Sequence, residues 1–379
     1  MTAPTDIPAG AATDDGPRKI TISVDAMGGD RGPATMVAGL ALSAKQNPDI
    51  GFILHGDAAK LTSLVKRRAV LTDRCEIRHA EDVVTMDDKP AQVLRTGKNS
   101  SMYSSIDAVR DHEAEVAVSC GNTGALMVLS MMRLRKLEGV KRPAIACYWP
   151  SSNPQGFNVL LDVGADVRAD ATDLLQFALM GASYARNSLG VARPRVGLLN
   201  VGTEEHKGGS EIRAAAELIA AATDAGQFTF IGNVEGSDIP SDKVDVIVTD
   251  GFTGNVALKT AEGTARLFKD FFREAFRATP FAQLGALFAS RQIKILIART
   301  DPRHVNGGVF LGLNGTVVKS HGGADATGIA AAVNLAFDLA RHDFNHRLAA
   351  RVASVAAAEL APASAPVPPG PAVEEGQEP

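Results

Sequence analysis

Short apolar runs recur along the chain: "ITISVD" at 20–25, "GFILHG" at 51–56, "VAVS" at 116–119, "VLLDV" at 159–163, "VGLLNV" at 196–201, "FTFIG" at 228–232 and "VDVIVTD" at 244–250. Each is about as long as a strand. Helical patterns separate most of them. Strand, helix, strand at this spacing predicts an α/β fold, a mostly parallel sheet with helices on both faces. In such folds ligands gather outside the carboxyl ends of the strands. Residues 1–17 are rich in Ala, Pro, Asp and Gly, and 361–379 are rich in Pro, so both read as disordered tails. No internal repeat and no Pro/Ser-rich linker interrupts 18–360, which is expected to form a single α/β domain.

Polar, glycine-rich connections follow the runs. They are "DAMGGDRGP" at 25–33, "SCGNTGALM" at 119–127, "DVGADV" at 162–167, "NVGTEEHKGGSEI" at 200–212 and "TDGFTGNVALKTAEG" at 249–263. A sixth, "GLNGTVVKSHGGAD", spans 312–325. Glycine lets backbone N–H groups approach a ligand, and helix N-termini favour anions. Any one such loop is an ordinary turn. Six of them, expected to face one crevice, point to an anion site.

Composition narrows the partners. The 379 residues have 45% apolar and 22% charged side chains, the balance of a globular protein with a full core. A net charge of −4 gives no general attraction to nucleic acid, so an anionic partner must meet a local patch. Cys75, Cys120 and Cys147 are far apart with no CxxC, which fits a reducing cytoplasm rather than a disulfide or zinc framework. The first residues show no apolar signal region, and no run of 18 apolar residues is present, so neither a secretory leader nor a simple membrane-spanning helix is expected.

Familiar catalytic motifs are missing. There is no GxxxxGK[ST], no GxGxxG opening a helix, no HExxH and no GxSxG. No protein nucleophile is evident. Inorganic phosphate needs none, because it attacks by itself once held, partly neutralised and aimed.

In order along 20–340, the segments "DAMGGDRGP", "KNSSMYSS", "SCGNTGALM", "LLDVGAD", "GLLNVGTEEHKG", "GNVEGSDI", "VTDGFTGNVALKTAEG" and "VKSHGGAD" resemble the bacterial phosphate acyltransferase family PlsX. The resemblance implies a Rossmann-like body related to isocitrate and isopropylmalate dehydrogenases, and a homodimer. It implies an enzyme that makes acyl phosphate from long-chain acyl-acyl-carrier-protein and inorganic phosphate. The product would feed glycerol-3-phosphate acylation in phospholipid synthesis, which links the chain to the membrane glycerol-3-phosphate acyltransferase PlsY. Three positions depart from the family pattern: Gly208-Gly209 replaces Gly-Asn, Asp166 replaces an Asn, and only Arg95 and Lys98 remain of a denser basic run.

The residues support a mechanism beside the resemblance. Lys207 is a cation at a helix N-terminus, suited to phosphate. Asn255 is a neutral amide donor for the phosphate or the developing oxyanion. The resemblance points to the same two catalytic positions. Read alone, Lys207 is equally a solvated surface lysine and Asn255 an Asx turn capping the next helix. Gly28, Gly29, Asn122, Thr123, Gly124, Gly202, Thr203, Gly208, Thr253, Gly254 and His321 line the same loops and are expected to bind phosphate or substrate. Asp25 and Asp30 are expected to fix loop geometry. No metal or nucleotide cofactor is expected. A phosphotransacetylase using acyl-coenzyme A stays open, as does a non-catalytic module that docks carrier protein on the membrane. A hydroxyacid dehydrogenase would need a nicotinamide site that the sequence does not offer.

One segment stands apart. Residues 264–297 hold six of the fifteen phenylalanines and predict a helical hairpin broken at Thr279-Pro280. Arg266, Lys269, Arg273 and Arg277 share one stripe, opposite Phe268, Phe271, Phe272 and Ala275. A basic stripe opposite an aromatic face suits an anionic bilayer. Taken alone, the pattern favours a helix packed on its own body or on a dimer partner. The implied product is lipid-like, and its release at the bilayer would avoid water. The tip residues Phe281, Leu284, Leu287 and Phe288 are therefore expected at the lipid interface, on the inner face of the cell membrane.

Overall fold

The computed structural model describes residues 19–292 and 307–350. Both expected tails lie outside the described residues, as do 293–297 of the hairpin. Among the described residues 11 strands form one sheet, β3-β2-β1-β4-β11-β10-β5-β6-β9-β7-β8 across its width. They are β1 (Ile20–Asp25), β2 (Ile50–Gly56), β3 (Cys75–His79), β4 (Val116–Ser119), β5 (Ala144–Pro150), β6 (Phe157–Leu161), β7 (Arg195–Leu199), β8 (Thr229–Val234), β9 (Val246–Val248), β10 (Gly308–Leu311) and β11 (Thr316–Lys319). The helices are α1 (Gly32–Gln46), α2 (Ala58–Lys66), α3 (Pro90–Thr96), α4 (Ser101–Arg110), α5 (Thr123–Leu134), α6 (Ala171–Leu189), α7 (Ser210–Ala221), α8 (Thr223–Gly226), α9 (Gly251–Arg277), α10 (Pro280–Phe288) and α11 (Ala326–Arg341).

Each of the seven expected strands is present. The sheet separates two apolar layers, as its alternation requires. In β4, Val116 and Val118 enter one buried cluster, with Met36 and Leu40 of α1 and Val333 of α11. Ala117 enters the other, with Ile106 of α4 and Leu129 of α5. The same division recurs in β9, where Val246 and Val248 face one cluster and Ile247 the other.

Two parallel blocks make up the sheet. One is β3-β2-β1-β4-β11 and the other β6-β9-β7-β8. Antiparallel β10 and β5 lie between them. Three antiparallel steps reverse direction, so the blocks run in opposite senses. The six glycine-rich loops therefore do not leave one common row of strand ends, as the sequence alone suggested. Three leave the carboxyl ends of β1, β4 and β11, and three leave those of β6, β7 and β9.

The long helix α9 links the two sets. Its N-cap, Asp250, accepts a hydrogen bond from the Thr253 N–H at 2.9 Å. Its 27 residues extend about 40 Å at 1.5 Å per residue. Only Gly251 and Gly254 of the helix are buried. The chain breaks at Thr279-Pro280 as expected, and the Thr279 hydroxyl caps α10 by accepting from Ala282. Apolar side chains stay exposed along the hairpin, Phe281 at 87% and Phe288 at 80%. No described helix is long and apolar enough to cross a membrane.

Candidate active site

Lys207 sits on the loop after β7, and Asn255 in the second turn of α9, which follows the neighbouring strand β9. Leu198 of β7 and Leu161 of β6 both pair with Val248 of β9, so the loops 162–167, 200–209 and 249–255 leave one edge side by side. Adjacent strands lie roughly 4.8 Å apart, so the bases of these loops start close together.

Asp162 organises this edge. Its side chain is buried and accepts N–H groups from Ile145 at 2.9 Å, Gly164 at 3.1 Å, Ala165 at 2.9 Å and Asp166 at 3.0 Å. Burial raises its pKa against the opposing pull of those donors. The loop so held presents the Val163 carbonyl, which accepts from Asn255 Nδ2 at 3.0 Å. Gly164, at φ +129°, lies directly beneath the Asn255 amide, where a Cβ would come within 2.8 Å of Nδ2. Asn255 thus stands in the body of α9, and the Asx cap belongs to Asp250. One amide proton of Asn255 is committed to Val163, which leaves the other for a ligand.

The 200–209 loop is built around Lys207. Asn200 ties it down, donating Nδ2 to the Lys207 carbonyl at 3.1 Å and accepting from the Val201 N–H at 2.8 Å. Gly208 takes φ +83° over that side chain. Gly202 makes room for the Lys207 side chain, which any Cβ there would overlap. Lys207 Nζ is 3.0 Å from the Glu204 carboxylate, and both side chains are about half exposed. Thr203 is exposed beside them.

Several expected ligand residues have structural work. Thr253 spends its N–H and hydroxyl on Asp250, at 2.9 and 2.8 Å. Gly254 lets α9 lie against the Asp162 carbonyl, which a Cβ would overlap. Asn122 caps α5 by accepting from Ala125 at 3.0 Å, and donates to the carbonyls of Met86 and Asp88 at 3.0 and 2.9 Å. Its side chain is thereby spoken for, whereas Thr123 and Gly124 are exposed at the first turn of α5.

The other loop set is knitted around Asp25. This buried carboxylate accepts from the hydroxyls of Ser101 at 2.6 Å and Ser119 at 2.7 Å, and from the Gly28 N–H at 3.2 Å. Asp25 therefore fixes geometry, as expected. Gly29, at φ +94°, lies against Cys120 and the Gly322 carbonyl. The Asp30 N–H donates to Gly322 at 2.9 Å. His321 accepts from the Gly323 N–H at 3.1 Å and stands 4.0 Å from Glu262 of α9.

Sequence reasoning singled out neither Asp162 nor Lys319. An aspartate after a strand reads as a turn residue, and only the fold shows four N–H groups converging on it. Lys319 closes "TVVK" and reads as the polar end of a strand. Two cavities lie apart from Lys207 and Asn255. One of about 390 Å³ is lined by Lys19, Arg74, Arg78 and Glu113, and one of about 240 Å³ by Asp82, Gln92 and Ser100. Among the described residues no group of three or more His, Cys, Asp or Glu is placed to hold a metal ion.

Comparison with known proteins gives this geometry its context. The family model described as "Fatty acid synthesis protein" matches residues 20–347. The chain belongs to that family. A phosphate acyltransferase of Jannaschia sp. (strain CCS1) is 64% identical over 348 residues, 92% of this chain and 95% of the relative. One from Dinoroseobacter shibae is 66% identical over 345 residues, 91% of this chain and 90% of the relative. The resemblance seen in the loop motifs thus holds along nearly the whole body, and the chain is an enzyme of the acyltransferase class. Among solved structures, a phosphotransacetylase from Streptococcus pyogenes matches with a TM-score of 0.56 at 16% identity, over 85% of this chain and 94% of the other. A branched-chain phosphotransacylase from Enterococcus faecalis V583 matches with a TM-score of 0.53 at 13% identity, over 85% and 99%. At such identities the likeness is one of fold.

Proposed function

We propose that this enzyme transfers a long-chain acyl group from acyl-acyl-carrier-protein to inorganic phosphate, releasing acyl phosphate and free carrier protein. The observation that carries this reading is that Lys207, on the loop after β7, and Asn255, in the first turns of α9, follow the adjacent strands β7 and β9. Phosphate takes the place of Glu204 beside the Lys207 ammonium. An exposed ion pair of this kind is worth about 0–1 kcal/mol, so the exchange costs little. A phosphate oxygen then attacks the thioester carbonyl, and the free amide proton of Asn255 stabilises the oxyanion. The C–O bond forms and the C–S bond breaks. The leaving thiol, with a pKa near ~8.5, takes one proton from phosphate or water, a small demand near neutral pH.

The surroundings of this reaction belong to the same proposal. Residues 18–360 act as one catalytic body, paired in a homodimer. The exposed tip residues Phe281, Leu284, Leu287 and Phe288 rest in the surface of an anionic membrane, where acyl phosphate passes to the glycerol-3-phosphate acyltransferase PlsY. Supplying the enzyme with phosphate and either acyl-carrier-protein or acyl-coenzyme A tests the donor. Acyl phosphate is expected from the carrier protein at higher kcat/KM. Preference for coenzyme A would make the enzyme a phosphotransacetylase instead.

A further inference from the structure

A second group of nitrogen bases lies at the other loop set. Lys319 ends β11, opposite Ser119 of β4, and its half-buried ammonium donates to the Ser320 carbonyl. Lys259 comes in from α9, with Nζ 2.9 Å from Glu262, and the same carboxylate is 4.0 Å from His321 Nε2. Strand end, loop and helix thus bring three nitrogen bases to one place. Burial lowers the Lys319 pKa to about 8, with Lys259 adding to the effect and Cys120, Asp25 and Asp30 opposing it. His321 is lowered too, first by burial, with Glu262 opposing and both lysines adding. Asp25 is already bound to two serine hydroxyls and the Gly28 N–H. Glu262 is shared between Lys259 and His321. Asp25 and Asp30 act on Lys319 from a distance, and among the described residues its ammonium bonds directly to the Ser320 carbonyl rather than to a carboxylate, so a phosphate group would give it a direct anionic partner.

We propose that Lys319, Lys259 and His321 form a second phosphate subsite, distinct from Lys207, which takes the phosphate of the acyl donor's phosphopantetheine arm. The inference rests on the acyl-transfer reading above. It assigns one cation group to each of two phosphate-bearing substrates: Lys207 to the attacking phosphate, Lys319 and its neighbours to the donor.

The test compares two thioesters of one fatty acid, an acyl-phosphopantetheine and the acyl-pantetheine that lacks its phosphate. Acyl phosphate made by wild type from either donor checks the transfer reading itself. The wild-type enzyme is expected to favour the phosphate-bearing donor in kcat/KM by about 10- to 100-fold, the scale of one or two hydrogen bonds to a charged group. Lys319→Met should collapse that preference, and Lys319→Arg should restore part of it. Lys259→Met gives a second reading should Lys319→Met fail to fold. Two results would overturn the proposal: a donor preference kept in both Met variants, or no preference in wild type. If instead the KM for inorganic phosphate rises while donor preference stays, the subsite holds free phosphate, and the assignment to the donor is wrong.

Discussion

Asn255 donates its side-chain amide to the Val163 carbonyl 3.0 Å away, so a residue of α9 is held by the loop that follows β6. The approach depends on Gly254, which has no Cβ to meet the Asp162 carbonyl. Gly254→Ala should push the first turn of α9 off that loop. The expected loss is about 1–3 kcal/mol of stability from the steric overlap, with a larger proportional fall in kcat as Asn255 moves. Gly263→Ala, on the same helix with open space around it, should instead gain roughly 0.5–1 kcal/mol. Denaturant unfolding and kcat on the two variants check this. Equal behaviour would mean that the α9–loop contact does not position Asn255.

His55 predicts an acid-sensitive fold. It is buried in β2, with Nε2 2.9 Å from Ser23 Oγ and Nδ1 2.7 Å from Ser104 Oγ. Ser23 gives its own proton to the Ser105 carbonyl, so its oxygen accepts and the imidazole donates from Nε2. Burial, then the charge of Arg78, lowers its pKa from 6.5 to about 4. The unfolded chain therefore binds the extra proton first as pH falls. The stability from neutral His55 is complete above pH 6.5 and is lost between 6.5 and about 4. At 1.36 kcal/mol per pKa unit the loss is about 3 kcal/mol. Urea unfolding of wild type and His55→Gln at pH 7 and pH 4.5 should show a steeper fall for wild type. Parallel falls would remove His55 from the account.

Membrane contact is tested at the hairpin tip. The double variant Leu284→Glu, Phe288→Glu puts charge on two exposed apolar positions of α10. It should fold and catalyse as wild type does, yet lose most of its flotation with anionic vesicles. Flotation equal to wild type would show that the tip is not the anchor. Unfolding or loss of the dimer would show that these side chains pack against protein.

The seven expected strands were legible because each is a compact apolar run. Four others were not read, for different reasons. Strand β3 lies at the sheet edge, and Glu76 and Arg78 interrupt its apolar residues. Strands β10 and β11 have four residues each, joined through Gly312 and Gly315 at positive φ, and a search for strand–helix–strand units passes over such a hairpin. The apolar β5 lies in the antiparallel stretch between the two blocks, outside any parallel repeat. Missing these strands hid the reversal between the blocks, and so the division of six loops into two sets. Lys207 and Asn255 could be picked out as candidates from the motifs that hold them. Asp162 and Lys319 were not, because their roles depend on what the fold brings to them.

The central claim is best tested by one assay, acyl phosphate formation from long-chain acyl-carrier-protein at saturating phosphate, for wild type, Lys207→Ala and Asn255→Ala. Each substitution removes one group that stabilises developing or attacking charge, an effect of roughly 10²–10³ in turnover by analogy with a single oxyanion donor. Both side chains are on the surface, so unfolding curves should stay close to wild type. The account predicts acyl phosphate from wild type and a fall of that order in each variant. No acyl phosphate from wild type, or near-wild-type turnover in both variants, would contradict it.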